Sequence, residues 1–337
     1  MDAIGFELAE LDVRLQGEGQ SGDDECPTPP SRPIIRAGDI FLAGDPRSPR
    51  HAWMCGNALD PADCAALMGG EKAAFAITDP PFNVKIAGHV STRRGARARP
   101  EFVMASGEMA ADEFQNFLAT SLANISAVSD PGALIDVFMD WRHIHDLIHA
   151  AKISALDYIN LAVWAKHAPG MGSLYRSQHE LIGIFRKPGA PHVNNVALGA
   201  NGRSRSNLWS YAGCAGFGAE RTNNLERHPT PKPVALIADA ILDCTRRGTS
   251  LVLDLFAGGG TTAIAAERTG RRSRLMEIDP GYCEAGIRRF AAVFGEAPVH
   301  AHTGLTLDAL GELRALEASA SESDAKAALP ALPAPKL

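Results

Sequence analysis

Leu251-Val252-Leu253-Asp254-Leu255-Phe256-Ala257-Gly258-Gly259-Gly260-Thr261-Thr262 reads as a buried strand, a tight turn and the start of a helix. The apolar run has no alternation, as in a parallel strand covered on both faces. The glycines allow a sharp reversal and the close approach of a ligand to the backbone. In open α/β sheets such a turn lies at the carboxyl edge of the strands, where nucleosides bind. Asp254, Phe256, Ala257, Gly258, Gly260 and Thr261 are therefore candidate cofactor contacts. An acidic residue ending the next strand takes ribose hydroxyls, and Arg274-Leu275-Met276-Glu277-Ile278-Asp279-Pro280 offers Glu277, with Asp279 as the alternative. The pattern is not Gly-x-Gly-x-x-Gly, and no Gly-Lys-Ser/Thr follows, which argues against a dinucleotide or ATP.

A second turn lies far upstream. Asp79-Pro80-Pro81-Phe82 closes the apolar run Ala73-Ala74-Phe75-Ala76-Ile77. Two prolines stiffen the turn and remove backbone donors, so a carboxylate and a free carbonyl are presented rigidly. Such a pair suits an exocyclic amino group. Asp79 and the Pro80 carbonyl would accept its two hydrogens, and Phe82 would stack on a base taken out of a duplex. A proline-terminated strand with a capping aspartate is the plainer reading.

Around these turns, strands and helices alternate. Strands are expected at 51–55, 73–78, 132–139, 157–165, 179–186, 250–255 and 273–278, and helices at 61–69, 112–125, 141–151, 232–246, 261–269 and 280–293. This rhythm implies an α/β fold with a mostly parallel sheet. Residues 1–38 read as an acidic, proline-rich leader and 305–337 as an Ala/Ser/Pro-rich tail, both largely disordered, flanking a catalytic domain at 39–304. No apolar stretch is long enough for a membrane span, and the first residues lack the features of a secretory signal. Six scattered cysteines without a Cys-x-x-Cys pair argue against a zinc cluster and for a reducing cytoplasm.

Net charge is −6, but the first 25 residues hold eight acids against Arg14, so the remainder is close to neutral. Residues 83–100 carry Lys85, Arg93, Arg94, Arg97 and Arg99 with no acid, a loop able to neutralise phosphates or simply to be solvated. Residues 187–227 are rich in Gly, Asn and Arg, with Arg203 and Arg205 as candidates for reading bases or touching phosphate. Trp209 and Tyr211 are candidates for stacking or for core packing.

The two turns, in this order, resemble the β group of amino-DNA methyltransferases. A third element, His228-Pro229-Thr230-Pro231-Lys232-Pro233, is similar to that group's His-Pro-Thr-x-Lys-Pro signature. The resemblance runs from about Gly38 to about Gly304. It is nearest to phage and prophage methylases whose catalytic half follows a ParB-like domain, as in Tyr175-Arg176-Ser177-Gln178-His179-Glu180-Leu181. It implies a Rossmann-like, seven-stranded sheet of the S-adenosylmethionine-dependent kind, circularly permuted so that the catalytic motif precedes the cofactor motif. It implies S-adenosyl-L-methionine as cofactor, with His228, Thr230 and Lys232 against its methionine part, and no metal. It places target recognition in 187–227. Double-stranded DNA is the implied partner, with a homodimer as a possible assembly.

The implied reaction is methylation of adenine N6, since an Asp-led motif is commoner for adenine and a Ser-led one for cytosine N4. Two departures stand out: Phe82 replaces the usual Tyr, and Gly56-Asn57 replaces Gly-Asp. Cytosine N4 methylation, a protein-glutamine or RNA methyltransferase, and a DNA-binding relic without turnover are the alternatives. The order of the motifs argues against the second of these, and retention of Asp79, Gly258, Gly260 and Glu277 argues against the third.

Overall fold

Along Ala73–Thr78 the side chains of Phe75 and Ile77 go to one apolar cluster and that of Ala76 to another, all of them buried. A strand with two covered faces belongs in the middle of a layered fold. The computed structural model describes residues 22–84, 104–170, 174–200, 203–213 and 232–328. Its strands are β1 (Ile40–Asp45), β2 (Ser48–Cys55), β3 (Ala73–Thr78), β4 (Ser129–Met139), β5 (Asp157–Lys166), β6 (His179–Arg186), β7 (Leu208–Tyr211), β8 (Leu251–Asp254), β9 (Arg272–Glu277) and β10 (Val299–His300). Its helices are α1 (Pro61–Met68), α2 (Ala111–Ala127), α3 (Ile144–Ile153), α4 (Val234–Cys244), α5 (Thr261–Arg268), α6 (Pro280–Phe294) and α7 (Leu307–Ala328).

The strands form one sheet in the order β10-β1-β2-β9-β8-β3-β4-β6-β5-β7. From β2 to β4 the five neighbours run parallel, β6 is antiparallel to β4 and β5, and β7 is parallel to β5. One face is covered by α1, α2 and α3 through Leu67, Phe114, Leu118, Leu122 and Leu147. The other is covered by α4 and α5 through Ile237, Ile241 and Ile264, and by α6 through Ile287 and Phe290. This is the doubly covered α/β layering that the alternation implies.

All the expected strands form, but the sheet has ten rather than seven. The extra ones sit at its edges, where short or half-buried strands carry a weak apolar signal. β1 and β10 extend one edge and the four-residue β7 the other. The leader and tail also depart from expectation. Within 22–38, Ile35 is buried, Asp23 binds Arg268, and Asp24 accepts from Val234 N at the start of α4. The tail forms α7, because Leu307 and Leu310 bury against the edge layer and Arg314 grips Asp39 with two hydrogen bonds of 2.7 and 2.8 Å. Helix α3 starts at Ile144 rather than 141, since Asp140 turns the chain by accepting from the backbone N–H groups of Arg142 and His143.

Candidate active site

β8 continues through α5 to β9 on one side, and β3 continues through α2 to β4 on the other, while β8 and β3 are neighbours. Their carboxyl ends flank the point where the strand order reverses, the place where open α/β sheets leave a ligand crevice. Both sequence turns lie here. Asp254 ties them together. Its Oδ1 accepts from Thr78 Oγ1 (2.9 Å) and Phe256 N (3.1 Å), and its Oδ2 from Thr262 Oγ1 (2.6 Å). The buried carboxylate thus joins the end of β3 to the glycine turn and the start of α5. Burial pushes its pKa up to about 6.

The glycine turn is built as expected. Gly258 (φ 50°) and Gly260 (φ 75°) are left-handed, and a Cβ on Gly260 would come within 3.2 Å of Gly286 Cα in α6. Glu277 ends β9 and closes the turn, its Oε2 accepting from Gly258 N (2.8 Å) and its Oε1 from Asp279 N (2.9 Å). Burial raises Glu277 to about 7. Asp279, the alternative, caps α6, its Oδ1 accepting from Gly281 N and Tyr282 N. Ala257 N donates to Met276 O, Phe256 packs on Phe117, and Thr261 Oγ1 accepts from Arg289.

At the end of β3, Pro80 is buried, and Asp79 and Phe82 are half-buried. Oδ2 of Asp79 accepts from Lys232 Nζ at 2.5 Å, while Oδ1 is buried and has no partner among the described residues. The ammonium also lies 3.1 Å from Glu180 Oε2 on β6, and Glu180 Oε1 accepts from Lys166 Nζ on β5 at 2.5 Å. The His-Pro-Thr-x-Lys-Pro signature implies a place for Lys232 against a cofactor; in the structure its ammonium is on Asp79. Glu180 and Lys166 join the site without having been singled out by sequence, although an acid near the start of an otherwise apolar strand, His179–Arg186, is a signal. Burial raises Asp79 against the pull of Lys232, and the two lysines hold Glu180 down at about 2.

The rim beside Asp79 has further polar and aromatic groups. Asn83 (φ 52°) accepts from Gly107 N and Met109 N and donates to Met109 O, so it ties the end of the Asp79–Phe82 turn to the residues ahead of α2. Trp141 is exposed, with the Arg142 guanidinium 4.7 Å from its ring. Lys85, Arg93, Arg94, Arg97, Arg99, His228 and Thr230 lie outside the described residues. Arg203 and Arg205 are not on a DNA-reading surface. Both insert into a cluster with Asp239 and Asp243 on α4, with ion pairs of 2.6 to 3.1 Å, and Arg203 is 3% exposed. Four charges at these distances bind one another, and this fixes the segment to α4. Trp209 is buried, and the Tyr211 hydroxyl donates to Asp239, so packing is their role too.

Comparison with known proteins identifies the family. The N6/N4 methyltransferase family, described as DNA methylase, matches residues 73–288, from the first residue of β3 into α6. The Escherichia coli (strain K12) protein named "Putative methylase YubD" is 28% identical over 234 residues, covering 68% of this chain and 88% of its own. In fold, the chain is similar to the cytosine-N4-specific PvuII DNA methyltransferase, with a TM-score of 0.54, 15% identity, and coverage of 86% of this chain and 94% of that one. It is likewise similar to M1.HpyAVI, with a TM-score of 0.50, 17% identity, and coverage of 71% and 97%. With both turns at the reversal point of its sheet and inside the matched region, this chain belongs to the N6/N4 DNA methylase family.

Proposed function

We propose that the protein transfers a methyl group from S-adenosyl-L-methionine to the N6 amino group of an adenine flipped out of double-stranded DNA. The observation that carries this reading is the half-satisfied carboxylate of Asp79: one oxygen on Lys232, the other buried without a partner among the described residues, beside the glycine turn. A buried acceptor without a donor is costly. An amino hydrogen is a donor that would relieve it.

The residues around the turn fit the cofactor. Each oxygen of Glu277 takes one backbone N–H and keeps acceptor capacity for ribose hydroxyls. Gly258 puts bare backbone where a nucleoside would lie. When bound, S-adenosyl-L-methionine supplies a methyl group on a sulfonium that leaves readily. The protein orients the acceptor. Asp79 Oδ1 accepts a hydrogen bond from one amino hydrogen and the Pro80 carbonyl from the other, and the nitrogen lone pair is thereby freed from the ring. Asp79 takes the proton that the nitrogen gives up on gaining the methyl group. Phe82 offers its face to the base. Positioning and hydrogen bonding of this kind are sufficient contributions for a good leaving group.

Adenine is favoured because the motif is led by Asp79. The basic stretch from Lys85 to Arg99 is the proposed phosphate contact. The test is expression in a host lacking its own amino methylation, followed by digestion of DNA to nucleosides and mass spectrometry. N6-methyladenine is the expected product, N4-methylcytosine would move the assignment to cytosine, and neither would refute the reading.

A further inference from the structure

The Lys232 ammonium is held more tightly than a lone ion pair requires. Besides Asp79 and Glu180, it faces the rings of Phe138 (4.9 Å to the centroid), Phe82 (5.8 Å) and Trp164 (5.9 Å). Cation–π contacts of this kind strengthen where water is excluded, and Lys232 is only 7% exposed. Glu180 is itself fixed, because its second oxygen is occupied by Lys166, which lies 4.7 Å from the Trp164 centroid. The charges run +, −, +, − from Lys166 through Glu180 and Lys232 to Asp79. They are supplied by β5, β6, the segment before α4 and the turn after β3. A lysine beside one isolated carboxylate is free to straddle both oxygens. Here the second carboxylate draws the ammonium to one side, and the other oxygen of Asp79 stays open among the described residues.

We propose that Glu180 and Lys232 are positioning residues for the target amino group: Glu180 holds the Lys232 ammonium on Oδ2 of Asp79 and so reserves Oδ1 for the amino hydrogen. The inference rests on the amino-methyltransferase reading above, and it moves Lys232 from the cofactor side to the base side of the crevice.

Two substitutions act in opposite directions. In Glu180→Gln, the neighbouring negative charge is lost and Lys232 turns wholly to Asp79. Oδ1 is then occupied, and Asp79 stays ionised to lower pH. In Lys232→Met, Asp79 faces burial and Glu180 without its cation, so it takes up a proton at higher pH. Among the described residues, the other charged groups facing Asp79, Lys166 from β5 and Asp254 from β8, are the same in both variants.

The experiment measures single-turnover methylation against pH, S-adenosylmethionine affinity by calorimetry, and the Asp79 carboxyl titration by carbon NMR. Glu180→Gln is expected to lower the single-turnover rate by about ten- to a hundredfold, the size of effect that a small misplacement of a reacting group produces. The acid limb should move down in pH for Glu180→Gln and up for Lys232→Met, with cofactor affinity within about threefold of the parent. Shifts in the same direction, or none, overturn the proposal, and so does a loss of cofactor affinity above tenfold in Lys232→Met. Because Lys232→Met leaves two buried carboxylates facing each other, the double variant Glu180→Gln/Lys232→Met is the version expected to keep the native near-UV spectrum. It should show the up-shifted limb in smaller degree. The NMR titration needs no turnover, so a protein that methylates nothing would refute the function while opposite Asp79 shifts would still support the pairing.

Discussion

Asp79 and Glu277 are both carboxylates at strand ends, yet they are set up for different tasks. Asp79 carries a cation on one oxygen, and Glu277 carries only backbone N–H groups. Removing Asp79 leaves Lys232 paired with Glu180, so no lone charge is stranded, and Asp79→Ala is expected to fold and to bind cofactor. Methyl transfer should fall by about two to three powers of ten, the usual loss when one oriented polar partner is removed. Activity within about tenfold of the parent would reduce Asp79 to a strand cap. Glu277 makes a pH prediction. Its carboxyl is raised to about 7, above about 4.3 for a free glutamate. Between these values the native state holds a proton that the unfolded chain has lost, so this group makes stability fall as pH rises through that window. Ribose hydroxyls donate to the ionised form, so binding should expel the proton. Affinity for S-adenosylmethionine is expected to strengthen between about pH 6 and 8 and then level off, and Glu277→Gln should bind weakly without that slope. A flat wild-type profile by calorimetry would remove Glu277 from the site.

At the scale of elements, the central strands and their turns were legible because they obey local rules. β3 and β8 are apolar runs closed by Pro or Gly, and α6 opens with Asp279-Pro280 and ends in the left-handed Gly295. What the sequence hid was decided by tertiary contact. Arg203 and Arg205 sit in a polar segment that reads as surface, but α4 presents Asp239 and Asp243 to them. Lys232 lies in a motif associated with the cofactor, and its partner Glu180 is 52 residues earlier in sequence, beyond any local pattern. Tail helix α7 is anchored by Leu307 and Leu310 in its first turn, while Leu313 and Leu316 are exposed, which leaves its periodicity weak. The glycine turn offers a test at this scale. Gly260 is left-handed and touches Gly286, so Gly260→Ala meets both a strained backbone and a close contact with α6. A loss of about 1–3 kcal/mol is expected from the backbone strain alone. The measurement is urea unfolding, and a change below about 0.5 kcal/mol would mean that the turn relaxes freely.

The whole molecule has to bring an acidic chain to a polyanion. Its net charge is −6, and several arginines are already neutralised inside: Arg203 and Arg205 on α4, Arg274 on Glu71, Arg314 on Asp39. The acids of the first 25 residues lie on the chain ahead of the sheet, and Asp23 among them is paired with Arg268. The sequence between Lys85 and Arg99, outside the described residues, holds five cations without a single acid. Asn83, directly after the Asp79–Phe82 turn, accepts from Gly107 N and Met109 N ahead of α2, so the described residues on either side of the stretch meet beside the crevice. DNA held there would present a flipped base to Asp79 and its flanking phosphates to the arginines. Replacing Arg93, Arg94, Arg97 and Arg99 by Gln should weaken binding to the same degree on all sequences. Every phosphate that these arginines neutralise in the parent, and glutamine does not, should reduce the slope of log affinity against log salt by about 0.9. Cofactor affinity should stay unchanged, because the glycine turn and Glu277 are built from β8 and β9. Binding curves at two salt concentrations for parent and variant decide the matter. An unchanged salt slope would show that these arginines are solvated, and that the DNA backbone is met by another part of the rim.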